Sequence, residues 1–126
     1  MNSAVKAALA SVLVIDDHPM VSRLVCEELA EAGYGATSAF DAAEARHTLR
    51  DRPVDLAIVS MASPPQRGLE TIQELRSHHP HLKIVSASLD PSSYVTELAR
   101  WAGADAHLRI PFPATELIRT VRRTLA

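Results

Sequence analysis

The chain is short of cysteine, glycine and uninterrupted apolar sequence. Cys26 is its only cysteine. One thiol cannot close an internal disulfide, so a reducing, cytoplasmic setting is expected. Cys26 falls among apolar neighbours in a helical pattern and reads as a buried, inert thiol rather than a reactive one. There are four glycines in all, and none makes a glycine-rich turn after the first apolar run. That counts against a dinucleotide- or flavin-binding domain. The opening stretch MNSAVKAALASVLVIDD is interrupted by Asp16 and Asp17, far short of the roughly 20 apolar residues of a membrane helix. It also lacks the basic start and cleavage region of a signal peptide. Neither sign of charge dominates: 13 Lys and Arg stand against 15 Asp and Glu, a formal net charge of -2. The whole chain therefore has no pull toward nucleic acid or an anionic membrane. Repeats, linkers and low-complexity stretches are absent. No helix-turn-helix follows the last periodic segment, so direct DNA binding by this chain is not expected.

What is present is enough apolar sequence, 47% of 126 residues, for one core. We expect a single domain over residues 1–126, with its core at about 11–125 and a short extension at 1–10. Continuous apolar runs at Ser11–Ile15, Leu56–Met61 and Lys83–Ser88 suit strands covered on both faces. Shorter strands are expected at Gly35–Ala39 and Ala106–Arg109. Helical spacing links Val21, Leu24, Val25 and Leu29, with Gly33 as a stop. Asp41 and Glu44 read as a capping box for a second helix through about Arg50. Leu69, Ile72 and Leu75 mark a third helix. Asp90-Pro91 opens a fourth, running to Ala102 before Gly103. Leu117, Ile118, Val121 and Leu125 mark a fifth. Strand and helix alternate five times, which predicts a doubly wound α/β domain with a five-stranded parallel sheet. Functional residues should lie at the carboxyl ends of its strands.

Asp16 and Asp17 close the first strand there. Adjacent carboxylates repel unless a cation or hydrogen bonds relieve them. The alternative is a structural role, with negative charge near the N-terminus of the following helix. Spacing does not decide between the two.

Three segments resemble the CheY-like receiver domain of bacterial response regulators, over about Ser11 to Leu125. VLVIDDHPMVSRLV is similar to its first strand and acidic pair, with His18-Pro19 as in the NarL/FixJ branch. DLAIVSMASPPQRGLE resembles the stretch around its phosphoacceptor, and AGADAHLRIPF resembles the stretch around its lysine. The resemblance implies a flavodoxin-like (βα)5 fold. Pro64 and Gly68 fix the register and place Ser60 where the family has its acceptor aspartate. Ile110 stands where it has lysine. Ser88 maps to the switch hydroxyl, with Ser86 as the alternative because Asp90-Pro91 starts a helix so soon after Ser88. His107 maps to the aromatic switch position.

In such receivers the acceptor carboxylate takes a phosphoryl group from a histidine, with Mg²⁺ and the lysine stabilising charge. A serine hydroxyl is a weak nucleophile without an adjacent base. Asp17 is a conceivable base, though sequence does not place it near Ser60. Loss of the third carboxylate leaves at most a weak Mg²⁺ site at Asp16 and Asp17. Isoleucine at 110 avoids stranding an ammonium without its partner. Two carboxylates alone carry the same formal charge as three beside one ammonium.

The resemblance implies a non-enzymatic signalling module acting through protein contacts, independent of phosphorylation. The alternatives are a receiver phosphorylated elsewhere, such as on Ser60, or the regulatory N-terminal part of a longer transcriptional regulator. A histidine kinase, an output protein or a second copy of the chain is the expected partner. The family's output surface would place Arg100, Trp101 and Arg119 at that contact. Trp101 is equally compatible with a packed position. Arg119, Arg122 and Arg123 also read as a solvated face complementing the last helix's dipole. His78, His79 and His81 read as a solvated turn, since no carboxylate or cysteine joins them at ligand spacing.

Overall fold

The computed structural model describes residues 8–61, 65–89 and 93–126. Five strands alternate with five helices: β1 (Ser11–Ile15), α1 (Pro19–Glu31), β2 (Gly35–Ala39), α2 (Ala42–Asp51), β3 (Leu56–Ser60), α3 (Gln66–His78), β4 (Lys83–Ser88), α4 (Ser93–Ala102), β5 (Ala106–Arg109) and α5 (Ala114–Leu125). The strands form one parallel sheet in the order β2-β1-β3-β4-β5. This is the expected (βα)5 architecture. The order reverses at β1 and β3, so their carboxyl ends flank the switch point of the sheet.

Strand alternation divides the core. Leu13, Ile15, Ala57, Val59 and Ile84 pack on one face with α2, α3 and α4, through Ala45, Ile72, Leu75, Val95 and Ala99. Val12, Val14, Leu56, Ile58, Val85 and Ala87 pack on the other, against Val25 and Leu29 of α1 and Leu117 and Val121 of α5. Both faces are covered, which explains the near-continuous apolar runs of β1, β3 and β4. The expected β3 loses Met61, and α2 runs one residue beyond Arg50. The Asp41 cap forms, with its Oδ1 accepting the Glu44 N–H at 2.9 Å. Glu44 returns to the Phe40 N–H, one residue before the cap, so the box is not the reciprocal one.

The four α1 residues that share helical spacing do not share burial. Val25 and Leu29 are buried, but Val21 and Leu24 are 39% and 58% exposed. Both exposed residues line a surface pocket with Ile110, Pro111 and Phe112, after β5. Among the described residues no helix is long and apolar enough to cross a membrane. The calls on Pro64 and on the Asp90-Pro91 cap lie outside the described residues.

Candidate functional site

β1 delivers Asp16 and Asp17 to the switch point. Asp16 is 8% exposed, whereas Asp17 faces solvent. The chain turns immediately into α1, with His18 as its N-cap residue and Pro19 in its first turn. Asp16 Oδ1 accepts the His18 backbone N–H at 2.8 Å. The His18 ring Nδ1 lies 3.0 Å from Asp17 Oδ1 and 3.4 Å from Asp16 Oδ1. These three side chains are the one group of potential metal ligands among the described residues.

Ser60 ends β3 beside this pair, in register with Ala87 of β4. Asp16, Asp17 and Ser60 line a cleft of about 490 Å³ whose far wall carries Arg67, Glu70 and Glu74 of α3. The structure thus brings the acidic pair and Ser60 together. No hydrogen bond joins the Ser60 hydroxyl to either carboxylate, so a serine–aspartate nucleophile pair is not formed. The donor set does not suit a tight Mg²⁺ site. It offers two carboxylates, one already accepting a backbone N–H, and the Ser60 hydroxyl.

Gly68 of α3 explains how the helix comes so near. A Cβ there would sit 3.1 Å from both the Ser60 carbonyl oxygen and Met61 Cα. Only glycine lets the two backbones approach this closely without displacement.

Ile110 follows β5, half-buried, and its N–H donates to the Ser88 carbonyl at 2.8 Å. The Ile110–Pro111 peptide is cis. With Ser60 and Asp16, Ile110 lines a second pocket on the α1 side of the sheet. Ser86 and Ser88 alternate onto the other face of β4, and both are buried. Ser88 is the last residue of β4, one step past Ser60's partner, and pairs with Arg109. Ser86 lies deeper, opposite His107. Its Oγ is 2.6 Å from His107 Nδ1. Burial pushes the His107 pKa below the ordinary imidazole value, favouring the neutral ring. This Ser86–His107 contact was not visible in sequence, because it depends on the register between β4 and β5.

Arg100 and Trp101 end α4. Arg100 is exposed and Trp101 is 91% exposed, so the packed alternative for the indole is excluded. Arg119 is exposed on α5 and pairs with Glu116 at 3.1 Å. These three are remote from the acidic cleft and share no pocket with it. Cys26 is partly rather than fully buried and lines a shallow pocket beside α1, and desolvation raises its thiol pKa. His78 and His81 are exposed, and they join no ligand cluster among the described residues.

Arg76 was also not anticipated. Its guanidinium donates to the carbonyls of Gly103, Pro80 and Leu82 and to Asp105 Oδ2, at 2.8–3.2 Å. Asp105 also accepts the Ile84 N–H. The cluster ties α3 to the turn between α4 and β5, where Gly103 adopts a φ of +127°.

A parallel five-stranded α/β domain with an acidic pair at its switch point is the architecture of a signalling receiver. The chain belongs to the response regulator receiver domain family, whose model matches residues 12–122. It is similar to the receiver domain of NtrX from Brucella abortus, with 30% identity and a TM-score of 0.84, covering 90% of this chain and 97% of that one. It is also similar to the response regulator TrrA from Thermotoga maritima, solved in complex with Mg²⁺ and BeF. There the identity is 32% and the TM-score 0.81, covering 93% of this chain and all of that one. Among curated proteins it is 27% identical to the probable transcriptional regulatory protein TcrX of Mycobacterium tuberculosis, over 91% of this chain and 49% of TcrX. The chain spans about half the length of several curated relatives it matches.

Proposed function

We propose that the chain is a receiver that signals by protein–protein contact without aspartyl phosphorylation. The observation that carries this reading is Ser60 at the end of β3 beside Asp16 and Asp17, with Ile110 rather than a cation after β5. The pocket keeps part of the family's acidity but has neither the acceptor carboxylate nor the ammonium that would hold a phosphoryl oxygen. Partner binding sets its conformational balance in place of phosphate. The partner is a signalling protein, either a histidine kinase, an output protein or a second copy of the chain. The half-length match to transcriptional regulators also supports a regulatory role ahead of an output domain.

Treatment with acetyl phosphate and Mg²⁺ followed by intact-mass measurement tests this. The expected result is an unchanged mass. A stable phosphoryl adduct mapped to Ser60, or to any other residue, would replace this reading with a receiver phosphorylated at a substituted position.

A further inference from the structure

The pocket on the α1 side of the sheet differs in chemistry from the acidic cleft beside it. Its walls are apolar, formed chiefly by Val21 and Leu24 of α1, Ile58 of β3, and Ile110 and Phe112 after β5. Its polar lining consists of Asp16, Glu28 and Ser60, with no Lys, Arg or His among the described residues that line it. Asp16 is 8% exposed. Its Oδ1 takes the His18 N–H, and among the described residues no donor reaches its Oδ2. A largely buried carboxylate that also borders this pocket gains from any further donor placed there. Ile110 adds to the apolar wall and offers no donor.

We propose that this pocket binds a small organic cation, an ammonium carried on one compact apolar group such as a single ring. Charge selects the head, because two carboxylates and, among the described residues, no base line the site. The walls select the body, and the exposed faces of Val21 and Leu24 at the rim are covered when it binds. Size limits the whole. The pocket holds about 270 Å³. That lies below the roughly 300–1,000 Å³ of drug-sized sites and above the roughly 150 Å³ cavity that accepts benzene. A ring with a two- or three-carbon amine arm fills it. An anion of the same shape would meet Asp16 and Glu28.

The test is an NMR titration of the full chain with 2-phenylethylammonium, alongside 3-phenylpropionate, 2-phenylethanol and n-butylammonium. The aryl ammonium is expected to give saturable shifts at Val21, Leu24 and Ile110, with each of the other three binding about tenfold more weakly or worse. Ile110→Lys places an ammonium in the pocket and should weaken binding by a similar factor. Leu24→Ala lies on an exposed face and leaves the fold intact, and it should weaken binding about threefold. Absence of saturable shifts overturns the proposal. So does equal binding of the anion or the alcohol, which would remove the role of charge. Equal binding of n-butylammonium would point to a partner's lysine side chain and would overturn the small-molecule assignment. If Ile110→Lys fails to fold, unchanged affinity in Leu24→Ala is sufficient to reject the site.

Discussion

In the proposed reading, Ser60 and Ile110 determine what Asp16 and Asp17 face. A hydroxyl adds no charge to the pair, and an isoleucine removes none, so the carboxylates keep their repulsion but gain no third ligand. Mg²⁺ wants near-octahedral oxygen donors and gives up its water reluctantly. Its dissociation constant here should be millimolar or weaker, worth about 4 kcal/mol or less. Melting curves with and without modest Mg²⁺ should nearly coincide, and a micromolar constant by calorimetry would refute this. His107 makes a second prediction at this scale. Its folded pKa is lowered by burial, so the unfolded chain binds the proton more readily. The stability from the neutral ring is fully present above the unfolded pKa. It is lost as pH falls from there through the lowered folded value. Urea unfolding across that window should show the native chain losing more stability than His107→Phe, which cannot titrate. Parallel pH profiles for the two proteins would mean that His107 is not protonated differently in the two states. Ser86→Ala should cost about 1 kcal/mol through the lost hydrogen bond.

Two contacts between elements determine how closely the helices approach the sheet. Gly68→Ala gains about 1 kcal/mol of helix propensity, but its Cβ collides with the backbone at Ser60 and Met61. Overpacking of this kind costs about 1–3 kcal/mol, so urea melts should show a net loss. Arg76→Ala removes donors from three carbonyls and from Asp105. The loss should be about 2–3 kcal/mol, and Arg76→Lys should recover less than half because an ammonium cannot reproduce the fork. Equal stability of the lysine variant and the parent would show that the fork geometry is not used. These contacts also show where sequence reading reached its limit. All five strands were legible to within a residue; the central ones stood out because a doubly covered parallel strand is apolar throughout, as in SVLVI and LAIVS. The helices were legible from their spacing, and α2 also from its Asp41 cap. The positions of Asp16, Asp17, Ser60 and Ile110 followed from motif register. The Ser86–His107 pair, the Arg76 cluster and the apolar pocket were not legible. Each joins residues about 20 or more apart through strand register or helix placement, which local pattern does not encode. Val21 and Leu24 keep the helical spacing of Val25 and Leu29, yet they line a surface pocket and stay exposed, which spacing alone does not encode.

At the scale of the whole molecule, β5 is an edge strand with α4 and α5 packed on its two faces. These three elements form one side of the domain, away from the acidic cleft. Along this side Trp101 is 91% exposed, and Tyr94 of α4 is 67% exposed. A tryptophan left this open contributes little to the monomer's core and a large apolar area to any contact that covers it. Arg100 and Arg119 add exposed guanidinium groups on the flanking helices, and Trp and Arg are the residue types most enriched at binding hot spots. In the proposed phosphorylation-independent receiver no phosphoryl group arrives to alter this side, and its binding-competent arrangement is the one a partner selects. Trp101→Ala should therefore weaken partner capture from source cells, or self-association in sedimentation, by about 2 kcal/mol. Arg119→Glu should also weaken it, by a smaller amount, because Arg119 is solvent-exposed and already paired with Glu116. Neither side chain supports the core, so far-ultraviolet circular dichroism and melting temperature should stay close to the parent's. Two folded variants that bind as tightly as the parent would place the contact on another side of the domain.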